Sequence, residues 1–263
     1  MLLAMAVWDN PENGRTWMTE KTLHSLARTV DWDKHRLIVC DNASCRATHD
    51  LYQAVLDDRL LPFTVIYNNT NLGTARAINR AWKQREPGEH ALKMDNDVTI
   101  AQPGWADWME DVFSRDYTIG ICGLKRKDLA ECPWSDNDWY RSRIKMLPHA
   151  PGQRWLIVEE VLHVIGTCQA YNSLLLDQIG YLYQPGQYAF DDGLAAIRAR
   201  VAGFKNVFIH GFEIDHIDPG GDDYTKWKKE YASQFMATYH QLKDQYESGK
   251  RGVYYDGGAS IDE

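Results

Sequence analysis

The first hundred residues alternate two kinds of hydrophobic spacing. Residues 2–8 (LLAMAVW) form an unbroken apolar run that stops at Asp9-Asn10-Pro11. Such a run, bounded by turn formers, predicts a buried strand. Residues 16–30 instead carry Trp17, Leu23, Leu26 and Val30 at helical spacing. The alternation then repeats. A run at 36–40 (RLIVC) ends at Asp41-Asn42, and a short helix is predicted over 48–56. A third strand at 63–67 runs into Asn68-Asn69-Thr70-Asn71, and a helix over 73–85 is closed by Pro87-Gly88. A fourth strand at 90–94 leads directly into Asp95-Asn96-Asp97. Four strand–helix units predict an α/β chain built on a doubly wound, mostly parallel sheet. Ligands bind such sheets at the carboxyl ends of the strands. Here those ends carry Asp9, Asp41, Asn69 to Asn71 and Asp95 to Asp97.

The second half is less regular. Pro103 opens a predicted helix that runs to residue 114, and a strand is expected at 118–124. Residues 125–154 read as an irregular insertion, broken by Pro133, Pro148, Pro151 and Gly152. A β-type run at 155–165 leads into Gly166-Thr167-Cys168-Gln169-Ala170-Tyr171. A helix over 191–202 is capped by Gly203, a strand follows at 206–210, and an amphipathic helix covers 224–247. The Gly-rich end, 249–263, reads as a mobile tail. The expected organisation is one large domain over 1–223, a helix over 224–248, and the tail.

Composition narrows the class. Of 263 residues, 44% are hydrophobic and 25% charged, which excludes a disordered chain. No apolar run approaches the roughly 20 residues that cross a bilayer. No basic segment precedes the first apolar run, so it reads as a strand and not a signal peptide. The five cysteines are odd in number and widely spaced, without zinc-site spacing. Reduced thiols in a cytoplasm are the expectation, a host's cytoplasm for a viral chain. A net charge of −8 argues against a general nucleic-acid coat but leaves room for a local basic groove. The insertion 125–154 offers one: seven cations against four anions, with Trp134, Trp139 and Tyr140 among them. Ten Trp and fourteen Tyr exceed core needs and suit stacking on sugars or bases.

The chemistry starts from carboxylate pairs. Asp-x-Asp occurs at Asp31/Asp33, Asp95/Asp97 and Asp136/Asp138, so the triplet alone decides nothing. Only Asp95/Asp97 follows a buried strand on the ligand edge. Two carboxylates there can hold a divalent cation that bridges phosphates. A second pair, Asp191-Asp192, opens a predicted helix, where acids also serve as caps.

The order of these segments resembles the GT-A glycosyltransferases of family 2. Asp41-Asn42-Ala43-Ser44 follows the second strand, Asn71-Leu72-Gly73-Thr74-Ala75 with Asn79 starts a helix, and Asp95-Asn96-Asp97 follows the fourth strand. Gly166 to Tyr171, then Leu176 and Ile179-Gly180-Tyr181-Leu182, resembles the segment before the acceptor site. Phe190-Asp191-Asp192-Gly193-Leu194, followed by Arg198 and Ala202-Gly203-Phe204, resembles the family's E-D-x-D-L…R…G-[YF], with Asp191 in place of Glu. His216 stands where the family often has a metal-binding His. The resemblance covers residues 1 to about 218.

It implies a donor half (1–100) and an acceptor half (101–223). It implies a nucleotide-sugar donor, a UDP-sugar above others, and Mn²⁺ or Mg²⁺. Asp97 would bind the metal, with Asp95 on a metal water or the ribose and His216 completing the shell. Asp9, Asp41, Asn71, Arg76 and Asp95 are the candidate donor contacts. Asp192 or Asp191 would be the base that takes the acceptor proton, and transfer would invert the anomeric carbon. The acceptor is expected to be a saccharide, or else a hydroxymethylated base in DNA bound through the basic, aromatic insertion. A nucleotidyltransferase is disfavoured because no G-x-G-x-R loop follows the first strand. A non-catalytic sugar-binding module would have no need of both carboxylate pairs. The sequence leaves the oligomeric state open.

Overall fold

The computed structural model describes residues 1–128, 143–221 and 223–257. Its first half is the predicted alternation: β1 (Leu2–Val7), α1 (Thr16–Thr29), β2 (Arg36–Asp41), α2 (Arg46–Asp57), β3 (Phe63–Tyr67), α3 (Thr74–Trp82) and β4 (Ala91–Met94). Next come β5 (Val98–Thr99), α4 (Trp105–Arg115), β6 (Ile119–Arg126), β7 (Arg143–Met146), β8 (Ile157–Val161) and β9 (Cys168–Tyr171). The chain continues through α5 (Ser173–Ile179), α6 (Asp191–Val201), β10 (Lys205–His216) and α7 (Asp223–Glu247).

The sheet order is β3-β2-β1-β4-β9-β6-β10-β8-β7, with β5 paired to β10. β1 pairs in parallel with β2 and β4, β2 with β3, and β6 with β10. β9 is inserted antiparallel between β4 and β6. β1 is buried along nearly its whole length, as its unbroken apolar run requires. One core cluster on the sheet takes in Leu3, Met5, Leu23, Leu26 and Trp105. Another takes in Leu2, Ala4, Ile78, Trp82 and Tyr171. α7 docks on α6 through Tyr239, Leu242 and Tyr246. Among the described residues, no helix is long and apolar enough to cross a membrane. Cys40, Cys45, Cys122 and Cys168 are free thiols.

Several expectations change. β10 was expected to end at residue 210, yet it runs on to His216 through a register shift. Gly211 sits in that shift at φ 80, a conformation only glycine adopts freely. The extension is what carries His216 to Val98, its partner in β5, beside Asp97. The insertion 125–154 holds β7, which pairs with β8; Trp134, Trp139, Tyr140 and Arg141 lie outside the described residues. The tail is docked through residue 257 where a mobile one was expected. Tyr255 exchanges backbone hydrogen bonds with Ile179 and Tyr181 (2.8 and 2.6 Å). The fully buried Arg198 donates to Val253 O at 2.7 Å and to Tyr181 O at 2.8 Å. A buried guanidinium must satisfy its donors, and the tail carbonyl supplies one acceptor.

Candidate active site

The carboxyl ends of β1, β4, β6 and β10 converge on a cleft of about 430 Å³, in the range of small-molecule sites. Asp95, Asp97, Asp191, Asp192 and Gly166 all line it, and Lys93 Nζ lies 4.0 Å from Asp95 and 2.6 Å from Asp191. Trp8, Tyr188, Tyr224 and Trp227 form an aromatic wall. Tyr224 and Trp227 stack at 5.6 Å between ring centroids, and Trp8 tilts against both.

Carboxylate and imidazole ligand atoms of Asp97, His216 and Asp218 lie within 4.8 Å of one another. His216 Nε2 is 3.5 Å from Asp97 Oδ2. The same oxygen accepts from Arg15 at 2.7 Å, and Arg15 also bonds Asp218 at 2.9 Å. Asp97 Oδ1 is buried with no hydrogen-bond partner among the described residues. A buried carboxylate oxygen without a donor is costly, and a cation would remove that cost. Two hard carboxylates with one imidazole suit a divalent cation such as Mn²⁺ or Mg²⁺, so these residues fit the metal the sequence implies. Against the burial that would raise it, Asp97 is held below the ordinary carboxylate range by His216, Lys228 and Arg15. Asp218 is held well below it, its burial outweighed by Arg15 and the Gly220 N–H. Asp95 goes the other way. Desolvation, with Asp97 and Asp191 near, pushes it up to about 6 against the pull of Lys93. A cation beside it would restore its charge.

The second acidic pair is built differently. Ala189 and Phe190 both sit in the left-handed region, at φ 71 and 69, a strain of about 1–3 kcal/mol per residue. Phe190 is held there by stacking on Tyr239 of α7 at 4.7 Å. This turn aims Asp191 and Asp192 from the first turn of α6. Asp191 Oδ2 meets the buried Nζ of Lys93 at 2.6 Å. Asp192 takes backbone donors at both oxygens: Gly166 N–H on Oδ2 (2.8 Å) and Gly193 N–H on Oδ1 (2.7 Å). Although burial opposes it, His163, Lys93 and the Gly193 N–H hold Asp192 well below the usual carboxylate range.

The structure brings Asp95, Asp97, Asn71, Asp191, Asp192 and His216 together on the cleft. It does not bring Asp9, Asp41 or Arg76 to the cleft wall. Asp9 is fully buried, accepting from Thr19 (2.7 Å) and Asn96 (3.0 Å). Asp41 is fully buried, accepting from Tyr52 (3.0 Å) and Ser44 N–H (2.9 Å). Arg76 is exposed on α3. Asn71 caps its turn through Gly73 N–H at 2.9 Å. Lys93, Arg15 and Lys228 on the cleft, and Asp218 beside Asp97, carry charge at the site without a sequence-level assignment. Lys93 had a signal, a charge inside an apolar strand. Asp218 had one in its spacing, two residues past His216. Arg15 and Lys228 had none, because each is joined to the site only by folding.

Known proteins bear on this geometry. The sequence profile described as glycosyl transferase family 2 matches residues 18–180. No curated protein matches in sequence. Among solved structures, a Pyrobaculum calidifontis mannosyltransferase in complex with GDP-Man and Mn²⁺ superposes with TM-score 0.68 at 16% identity. The alignment covers 97% of this chain and 66% of that one. Staphylococcus aureus TarS 1–349 with UDP gives TM-score 0.58 at 16% identity, over 94% of this chain and 70% of that one. GalNAc-T7 with UDP, GalNAc and Mn²⁺ gives 0.63 at 12%, over 99% and 56%. The chain thus spans about two thirds of the length of the first of these structures. Those neighbours share the GT-A fold. With the profile matching well over half of its residues, the chain belongs to glycosyl transferase family 2.

Proposed function

We propose that the chain moves a sugar from a nucleoside diphosphate sugar, UDP above other nucleotides, to a hydroxyl of a saccharide. The observation that carries this is the meeting of two unlike acidic groups in one cleft. Asp97, His216 and Asp218 suit a cation, while Asp192 lines the same cleft. A bound divalent cation would supply charge neutralisation for the diphosphate leaving group. Arg15 and Lys228, which hold Asp97 and Asp218, add positive charge on the same flank. Asp95 would contact the ribose or a water on the cation. Asn71 lies where the nucleoside would enter, and the buried Asp9 and Asp41 act behind it by fixing the strand-end loops. Asp192 takes the proton of the acceptor hydroxyl as its oxygen bonds to the anomeric carbon and the bond from that carbon to the diphosphate breaks. One such displacement inverts that carbon. Asp191 stays paired with Lys93.

A specific observation favours a saccharide over DNA as acceptor. Duplex binding needs cations free to meet phosphates. Of the seven cations of the insertion, five are paired: Lys125 with Glu159, Arg126 with Asp128, Lys127 with Asp215, Lys145 with Asp116 and Arg154 with Asp111, while Arg143 is exposed on β7 and Arg141 lies outside the described residues. Aromatic side chains at the cleft mouth suit the apolar faces of sugar rings.

The test is a transfer assay with a panel of nucleotide sugars in Mn²⁺, offering oligosaccharides or hydroxymethylated DNA as acceptor. Release of nucleoside diphosphate with a glycosylated saccharide is expected, and Asp192→Asn should lower it about 10²–10⁴-fold. Transfer to DNA that weakens steeply with salt would favour the DNA acceptor instead. Binding of sugars without donor cleavage would leave a sugar-binding module.

A further inference from the structure

His163 is the one imidazole placed against the second acidic pair among the described residues, and nothing above gives it a task. It lies in the loop between β8 and β9 with its ring almost wholly buried. Its Nε2 is 3.3 Å from Asp192 Oδ2. Burying an imidazole is unfavourable unless the ring is engaged, so the contact calls for a reason.

The lone pairs of Asp192 give one. An ionised carboxylate accepts at about four sites, two on each oxygen. Oδ2 accepts from Gly166 N–H, and its other side is covered by His163, whose Nε2 lies 3.3 Å away at an angle short of a full hydrogen bond. Among the described residues Oδ1 accepts only from Gly193 N–H, so with Oδ2 covered the open lone pair is on Oδ1. A carboxylate has no hydrogen to give, so the imidazole nitrogen facing it must carry the proton. Any hydrogen bond between the two therefore has His163 Nε2–H as its donor. Gly166 closes the arrangement from the cleft side: a Cβ there would sit 3.1 Å from Asp192 Oδ2. Asp191 is excluded from the same role because Lys93 already holds it at 2.6 Å.

We propose that His163 is a positioning residue for the base. It donates Nε2–H to Asp192 Oδ2, stops the carboxylate from turning about its last bond, and leaves the Oδ1 lone pair aimed at the acceptor hydroxyl. This rests on Asp192 being the base. In the reaction the acceptor O–H bond breaks and its proton joins Oδ1, while the Oδ2 contact to His163 stays in place. The proton leaves to solvent when product departs.

Two variants separate reach from polarity. In His163→Gln the amide nitrogen falls close to the place of Nε2; in His163→Asn it stops short by about one bond length. His163→Asn should lower kcat about 10–100-fold, since a misplacement of about 1 Å costs that much. UDP affinity and donor KM should stay within about twofold, and His163→Gln should recover most of the loss. The pH–rate profile gives a readout that packing would not move. With the Nε2–H donor lost, ionised Asp192 is less favoured, so its acidic limb should move to higher pH in His163→Asn and not in His163→Gln. Lys93 on β4, Tyr171 on β9, Tyr188 in the loop before α6 and Asp191 at its start also face this carboxylate, and they are unchanged in both variants. Where His163→Asn does not fold, His163→Leu takes its place. Wild-type kcat in the Asn or Leu variant, or a Gln variant as slow as the Asn one, would overturn the proposal. Full transfer by Asp192→Asn would instead show that the base is elsewhere, a failure of the underlying reading.

Discussion

Lys93→Met tests the charge wiring beneath the cleft. Lys93 is 3% exposed and its Nζ meets Asp191 at 2.6 Å. Met keeps the stem and removes the charge. Asp191 then has Gln184 at 3.5 Å as its nearest remaining side-chain donor. Breaking a buried pair from one side costs about 3–5 kcal/mol. There is also a ceiling. The stranded carboxyl can take a proton, and at pH 7 that costs about 4 kcal/mol from an unfolded value near 3.9. We therefore expect a loss of about 4 kcal/mol at pH 7, or about 10 °C in Tm for a domain of this size. The loss should shrink by about 1.4 kcal/mol for each unit the pH is lowered, leaving about 1.5 kcal/mol at pH 5. Adding Asp191→Asn to Lys93→Met should restore much of the stability, because the carboxylate bonded directly to Lys93 is then neutral and only the longer contact to Asp95, at 4.0 Å, stays lost. Thermal and urea unfolding at pH 5, 6 and 7 read all three numbers. A loss below about 1 kcal/mol at pH 7, or one that does not change with pH, would refute the reasoning.

Gly166→Ala places a Cβ 2.7 Å from Lys93 Nζ and 3.1 Å from Asp192 Oδ2, so kcat should fall at least about tenfold while calorimetry shows unchanged UDP affinity. Asp192 has a folded value depressed below its unfolded one, so the stability it gives is complete above about pH 4 and is lost as pH falls through the folded value. The Tm gap between the wild type and Asp192→Asn should therefore be widest near neutrality and close towards pH 2; a constant gap would contradict the assignment.

The strands of the first half were legible because each is a contiguous run with turn formers after it, and local pattern suffices for that. Asp95, Asp97 and the Asp191-Asp192 pair were legible from their position at element ends. Other parts depend on distant partners. β10 passes through Gly211, which reads as a breaker until the bulge it permits is seen. The tail looks mobile by composition, but Arg198 needs the Val253 carbonyl. Arg15 reaches Asp97 across 82 residues, and no spacing rule carries that distance. Asp9 and Asp41 are on the expected edge, but their side chains turn inward to Thr19 and Tyr52, a choice of rotamer that sequence does not record.

The central claim is that this cleft takes a nucleoside diphosphate with a divalent cation. Calorimetric titration of UDP in the presence of Mn²⁺, run on the wild type and on Asp97→Ala, tests it most directly. When Asp97 is lost, the buried Arg15 keeps its bond to Asp218 at 2.9 Å, so the fold should stand. The account predicts one UDP per chain, binding that is lost with chelator, and binding that is lost in Asp97→Ala. Equal UDP affinity with and without metal, or in the two proteins, would contradict it.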